Sequence, residues 1–534
     1  MPLVTKENSP HVVLLAANDI TVEQRVLKQA ASLVQFGLRV TCVGVASNGV
    51  ESETDALGAR VIRVGVPSRI ASWRRNRALI QMSRALAPAY PNREEATLAR
   101  LRWTLRSQAL AARHGRVLLD ADRGSPETGL RHVVGQLDRT VRSRGLQGWR
   151  KLVYIREGLL NRRVQYRSVV RAQGRERLRP LFLALPALAG WRRIVPEILD
   201  YELALGPLIA ELQPDVLHVH DVYLIGVAEQ AAAHARLNGR RVHLVYDASV
   251  YVRGQAIPPA RVVKAYSKLE REYIRRYDRV ITVSERIADE LSRVNRLSRR
   301  PDVVLNAPVV AAPEPEGPSV RRAAGVPDHL PLLVYGGGLA KPRGVHTVIH
   351  ALPKLADVHL AVITRRVSNY TAYLDRIAAR LGVADRLHFL PFVSPDQVAH
   401  YYASATIGVS SLLHSRNHDW VLTNRLFEFM HARLPIVTSD TPTQAAFVRQ
   451  LGIGEVYLAG NAQDLARAVR IVLADLDRYR RPLVGESPLI AKYSWDTQAK
   501  VLHGVYSGLL GPLPQAPGHI SQLRVDIDPV SDQR

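Results

Sequence analysis

Residues Asn424 to Asp440 read NRLFEFMHARLPIVTSD. Leu426–Ala432 has the apolar spacing of a helix. Leu434-Pro435 ends it, because proline cannot continue the hydrogen-bond ladder, and the β-branched Ile436–Ser439 follows at once as a strand. A helix that runs directly into a short, continuously apolar strand is half of a βαβ unit. Strands of that kind are buried on both faces of a parallel sheet.

The same alternation extends outward from this stretch. The first half of the chain predicts strands at Val12–Ala16, Val40–Val45, Arg60–Val64, Val216–His220, His243–Asp247, Val280–Val283 and Val303–Leu305. The second half predicts Leu332–Tyr335, Val358–Ile363, Leu387–Leu390, Ile407–Ser410, Ile436–Ser439 and Glu455–Leu458. Helical patterns lie between most of them, so the expectation is two Rossmann-like α/β domains with parallel sheets. The first is expected over residues 1–312 and the second over 313–492, joined by a proline-rich hinge at Ala307–Ser319. A helix over 493–511 is expected to pack back on the first domain, and 512–534 reads as a disordered tail. Residues 66–200 break the rhythm and read as an Arg-rich helical insertion in the first domain, with four of the six tryptophans.

Composition narrows the class. The 534 residues are 47% hydrophobic and 23% charged, as in ordinary globular proteins. No apolar run of about 18 residues is present, so no transmembrane helix is expected. The single cysteine, Cys42, excludes an internal disulfide and a cysteine-based metal site. The N-terminus lacks the features of a signal peptide, and the expected compartment is the cytoplasm. The net charge is +25, and residues 101–180 alone carry an excess of 13 positive charges. Two readings of this block stay open. One is an anionic partner, such as the inner face of the cell membrane or a phosphorylated molecule; the other is a solvated helical surface. Nucleic acid is not expected, because no groove-reading module is present.

Loops that follow parallel strands form the ligand crevice of such sheets. Tyr335–Gly344 (YGGGLAKPRG) is one of them. Its glycines let the backbone approach a phosphate, and Lys341 and Arg343 add positive charge at a helix start. It is not a Walker A loop, since no Gly-Lys-Ser/Thr follows. Glu428, on the first turns of the 424–432 helix, suits hydrogen bonding to a ribose diol. The alternative is a solvated glutamate favoured by the helix dipole. His220 and Asp221 end one strand of the first domain, either facing the cleft or satisfying buried backbone groups.

These segments together resemble the retaining glycosyltransferases of family 4, which have the GT-B fold. Asn18-Asp19 with Arg25-Val26 resembles the first strand–helix unit. Pro214–Asp221 (PDVLHVHD), Val280–Ser284, Val304-Leu305-Asn306, Tyr335–Gly344 and Leu426–Val437 resemble further motifs of that family, in the family's order. The resemblance implies a nucleotide-sugar donor, no resident cofactor and no metal. It assigns the donor diphosphate to Arg343 and Lys341, with Gly337 and Gly338. It assigns the ribose to Glu428, and close backbone approach to the phosphates to Asn424, Arg425 and Leu426. His220, Asp221 and Ser249 become the candidate catalytic residues, Ser249 standing where the family often has histidine. Two further departures are visible. Trp420 occupies the position of a second carboxylate, for which Asp419 is the nearest substitute, and Gly338 replaces the loop arginine. The acceptor is expected on the first domain, lipid-linked or phosphorylated. The alternative function is a catalytically silent homologue acting as a partner or scaffold.

Overall fold

The computed structural model describes residues 9–66, 97–110, 143–154, 191–309, 318–364, 369–393 and 397–514, apart from scattered positions within these spans. Most of the expected insertion, most of the expected hinge and the tail beyond 514 lie outside the described residues.

The first sheet contains β1 (His11–Leu15), β2 (Arg39–Val45), β3 (Ser52–Ala56), β4 (Ala59–Val64), β5 (Val216–Val219), β6 (His243–Ala248), β7 (Arg279–Thr282) and β8 (Asp302–Val303). Their spatial order is β3-β4-β2-β1-β5-β6-β7-β8. Every pairing is parallel except β3 with β4. Each long strand divides its residues between two apolar layers with a period of two, as the pleat requires. Val13 and Leu15 face α2 (Ile198–Leu212), α3 (Ile225–Leu237), α4 (Ala260–Tyr273) and α5 (Glu285–Asn295). Val12 and Leu14 face α1 (Gln24–Gln35).

The second sheet contains β9 (Leu332–Gly336), β10 (His359–Thr364), β11 (Leu387–Pro391), β12 (Ile407–Ser410), β13 (Ile436–Ser439) and β14 (Gly454–Tyr457). It is wholly parallel, in the order β11-β10-β9-β12-β13-β14. Its helices include α6 (Val345–Ala351), α7 (Arg416–Trp420), α8 (Asn424–His431), α9 (Pro442–Leu451) and α10 (Ala462–Ala474). The strand order reverses between β1 and β5 in the first sheet and between β9 and β12 in the second. A crevice opens at each reversal.

Three elements escape a hydrophobic reading of the sequence. β3 is Ser-Glu-Thr-Asp-Ala, four of its five residues exposed, so it has no apolar signature. It exists because Leu57 and Gly58, at φ +55° and +79°, close a two-residue hairpin onto β4. The Arg60–Glu53 ion pair then laces this charged edge. Helix α9 is announced by Pro442 at its start and by Gly452, at φ +64°, just past its end. The third, α2, overlaps the end of the expected insertion. Trp191, Val195 and Ile198 are buried in the first domain's core, so these residues pack as part of that domain.

The chain crosses between the domains a second time. Helix α11 (Trp495–Leu510) leaves the second domain and covers the α1 face of the first sheet. Trp495 is fully buried there. Its indole N–H donates to Ser32 Oγ at 2.9 Å, and Lys28 Nζ lies 4.7 Å from its ring centroid. Replacing Trp495 by alanine is expected to cost about 3–5 kcal/mol. Thermal unfolding checks this: the first domain's transition falls while the second domain's is unmoved, and an unchanged profile would refute the packing role.

Candidate functional site

The crevice of the second sheet is built from the loop after β9 and the start of α8. Gly336 and Gly337 are glycines of necessity. A Cβ on Gly336 would overlap Tyr402 Oη at 1.8 Å. Gly337 has φ +118°, and its Cβ would meet Arg425 Nη2 at 2.9 Å. Gly338 has open space, and its carbonyl accepts a hydrogen bond from Tyr335 Oη at 3.0 Å. Gly344, at φ +72°, presses against the Ser411 carbonyl, where a side chain would not fit.

Arg425 lies directly under this loop. It is 6% exposed, its guanidinium stacks 4.6 Å from the Tyr335 ring centroid, and its Nη1 has no hydrogen-bond partner. Arg343 is half-buried nearby. Burial and the Arg425 charge push its guanidinium below the ordinary arginine value. Two guanidinium groups therefore converge on one glycine loop, and neither has a carboxylate partner among the described residues. Glu428 follows Arg425 by three residues on α8. Burial raises its carboxyl above the usual range, while the charges of Arg425 and of Lys28, from the first domain, oppose that shift. Leu426 is fully buried in the core, so only its backbone is available to a ligand. Asn424 and Lys341 are exposed at the rim.

Asp419 is placed differently from a free sugar-gripping carboxylate. It is committed to His414, whose Nδ1 lies 2.8 Å from Asp419 Oδ1 and whose Nε2 lies 3.0 Å from Asp440 Oδ1. Trp420 has a packing role instead of a polar one. Its ring lies 4.6 Å from that of Tyr251 and under Arg286, and its carbonyl accepts from Ser284 Oγ at 2.8 Å. All three partners belong to the first domain, so position 420 forms the seam between the domains.

The crevice of the first sheet follows β5 and β6. Its floor is Asp247, fully buried, gripped by Arg25 at 2.6 and 3.0 Å and by Gln29 at 2.8 Å. His220 Nδ1 is 3.5 Å from the same carboxylate, and its ring stacks on His218 at 4.6 Å. Burial drives the His220 pKa down to about 4, against the pull of Asp247, so the ring is neutral at pH 7. Its Nε2 has no partner. Asp221 accepts from the Ala17 amide at 2.8 Å and is raised above the carboxylate range, chiefly by burial. Ser249 is half-buried just past β6. His218, His220 and Asp247 gather here, with ligand atoms within 4.8 Å of one another. Both oxygens of Asp247 already accept hydrogen bonds from Arg25.

Arg25 entered the motif reading only as part of a strand–helix unit, and Lys28, Gln29 and Asp247 were not singled out as candidates. A signal was available: Arg25, Lys28, Gln29 and Ser32 form a polar stripe at helical spacing through an otherwise apolar helix, and all four are buried.

Residues 181–308 match the glycosyl transferase 4-like domain, and residues 330–475 match the family described as Glycosyl transferases group 1. Together the two matches cover about half of the chain. The chain belongs to the group 1 glycosyltransferases. Among relatives in the group, an uncharacterised glycosyltransferase of Methanocaldococcus jannaschii is 27% identical over 44% of this chain and 62% of its own length. A D-inositol 3-phosphate glycosyltransferase of Streptomyces bingchenggensis is 25% identical over 47% of this chain and 56% of its own. A lipopolysaccharide core biosynthesis mannosyltransferase of Rhizobium leguminosarum is 28% identical over 45% and 66%. The chain thus spans less than two thirds of each. Among solved structures, the sucrose-phosphate synthase of Thermosynechococcus elongatus superposes with a TM-score of 0.60 over 94% of this chain and 99% of that one, at 12% identity. Anabaena HepE, in complex with UDP and glucose, superposes with 0.53 over 93% and 100%, also at 12% identity. These likenesses establish the GT-B fold for this group 1 chain.

The His414 bridge has a definite pH dependence. Its two carboxylate partners, Asp419 first, raise its pKa above 6.5. The stabilisation it gives to the 411–420 loop is therefore complete below the unfolded value and lost as pH rises through the folded one. An NMR titration is expected to place the His414 midpoint above 6.5 and to lower it in Asp419→Asn. A midpoint at or below 6.5 in the unmodified protein would contradict the bridge.

Proposed function

We propose that this protein transfers a sugar from a nucleoside-diphosphate sugar to an acceptor hydroxyl, with retention of anomeric configuration. The observation that carries the reading is the pair of guanidinium groups, Arg343 and Arg425, at the Gly336–Gly338 loop, neither of them in a contact ion pair among the described residues. Two like charges held together are unfavourable until an anion joins them. A diphosphate fits, because guanidinium groups grip phosphate oxygens bidentately. Arg425 also supplies from α8 the second cation that Gly338 leaves out of the loop. The complexes of Anabaena HepE with UDP and with UDP-glucose support this choice of ligand.

In this reading Glu428 takes the ribose hydroxyls, and Arg343 and Arg425 stabilise the charge that grows on the departing nucleoside diphosphate. No metal takes part, since the arginines supply the countercharge. The neutral His220, Asp221 and Ser249 line the acceptor side and orient the reacting groups. Closure about the two interdomain crossings brings the halves together. The protein works in the cytoplasm, and its basic stretch 101–180 rests on an anionic membrane surface. In support, the described part of that stretch exposes Leu152 and Tyr154 at 54% each, and Arg106 and Arg150 lie over Trp149 and Trp103. No helix among the described residues is long and apolar enough to cross a membrane.

A thermal-shift screen against UDP-, GDP- and ADP-sugars tests the reading through ligand linkage. One base is expected to stabilise the protein. Arg425→Ala is expected to weaken that ligand about 10- to 100-fold, the scale of one charge-assisted hydrogen-bonding group, and Glu428→Ala to abolish transfer. If no donor shifts the melting temperature, the proposal fails.

A further inference from the structure

Outside the donor crevice, four cations face one open cavity of about 590 Å3 on the first domain: Arg253, Lys264, Lys268 and Arg271. None of them forms an ion pair among the described residues. Two acids share this helix: Glu270, which is buried, accepts from Tyr246 Oη at 3.1 Å and is pushed up to about 7 by burial, and Glu272, which accepts from Trp191 Nε1 at 2.7 Å. Arg253 Nε and Gln255 Oε1, both at this cavity, are closed off from water and have no hydrogen-bond partner. An unpaired cation cluster with an unused Arg253 N–H is complementary to an anion rich in acceptor oxygens.

Shape and place narrow the ligand. Lys264, Lys268 and Arg271 stand at i, i+4 and i+7 on α4, one face of the helix, and span roughly 10 Å at about 1.5 Å per residue. That is longer than a single phosphate. Arg253 and Gln255 lie on the β6–α4 connection, which also carries Ser249. On this connection a Cβ at Gly254 would come within 2.8 Å of the Asn417 amide of the second domain. The cavity therefore opens beside the seam between the two crevices.

We propose that this cradle holds the anionic group of the acceptor, a phosphate or diphosphate ester, while the acceptor hydroxyl reaches across the seam to the donor. The proposal rests on the glycosyl-transfer reading above and names the acceptor class. The same chemistry has two sources, a soluble phosphorylated sugar or polyol and a phosphate-bearing lipid.

The test uses the full chain with its donor crevice filled by saturating nucleoside diphosphate. Calorimetric titration with inorganic pyrophosphate is expected to show a second site in the unmodified protein. The triple variant Lys264→Ala, Lys268→Ala, Arg271→Ala is expected to bind pyrophosphate at least tenfold more weakly, with nucleotide affinity and melting temperature unchanged. Lys268→Arg is expected to keep the site. Cosedimentation with phosphatidylcholine vesicles, with and without phosphatidylglycerol, separates the sources. Binding to the anionic vesicles that the triple variant loses assigns a lipid; pyrophosphate binding with no such loss assigns a soluble ester. The cradle proposal is overturned if the unmodified protein binds no pyrophosphate once its donor crevice is full, or if the triple variant binds it equally well. A protein that binds pyrophosphate through these residues but no nucleotide at all would instead sink the donor reading.

Discussion

The buried pair of Arg25 and Asp247 is the constraint on which the cleft depends. Both side chains are almost wholly out of water, at 3% and 0% exposed. Removing one partner from such a pair strands a charge in the interior and costs about 3–5 kcal/mol. The pair also sets geometry. Arg25 sits on the first turn of α1, Asp247 ends β6, and the remaining guanidinium nitrogen donates to the Val304 carbonyl beyond β8 at 2.9 Å. One side chain thus ties together a helix start, a central strand and the exit toward the second domain. Lys28, one turn on, binds Asn306 Oδ1 at 2.8 Å and the Ala307 carbonyl at 2.5 Å. Burial lowers its pKa to about 7, with Arg25 adding to the effect.

The two halves of the cleft are built on opposite electrostatic plans. On the first domain every strong charge at the floor is answered: Arg25 by Asp247, Lys28 by carbonyl oxygens, Asp221 by a backbone amide. On the second, Arg343 and Arg425 are left facing each other. A rigid, self-satisfied floor orients a neutral reacting group well. An unsatisfied pair instead reserves its interaction energy for an incoming anion. The seam at Trp420, Tyr251 and Ser284 joins the two plans, and it explains why that position bears an aromatic ring.

Much of this was legible in the sequence, for physical reasons that can be named. Parallel strands buried on both faces must be apolar throughout, so Val12–Leu15 or Ile436–Ser439 announce themselves. The polar β3 is held by turn geometry and edge charges, and carries no such mark. The glycine loop was visible because a backbone packed against Tyr402 and Arg425 restricts residue choice locally. The pairing of Arg343 with Arg425 was not, because residues 82 positions apart meet only through the sheet order. Arg425 was expected to act through its backbone; its side chain proves to be the nearer group to the loop. The engagement of Asp419 by His414 was hidden in the same way, since it depends on Asp440 arriving from the next strand.

The return of α11 to the first sheet makes that domain discontinuous in the chain, and this has a consequence for biosynthesis. The second domain is contiguous, and its strands and helices have all emerged from the ribosome before Trp495 has. The first domain, although its strands appear earlier, keeps part of its α1-side apolar face uncovered until the last turns of α11 are made. At roughly 5–20 residues per second, the interval between the end of its last strand and the arrival of that helix is on the order of tens of seconds. The domain that begins first is therefore completed last.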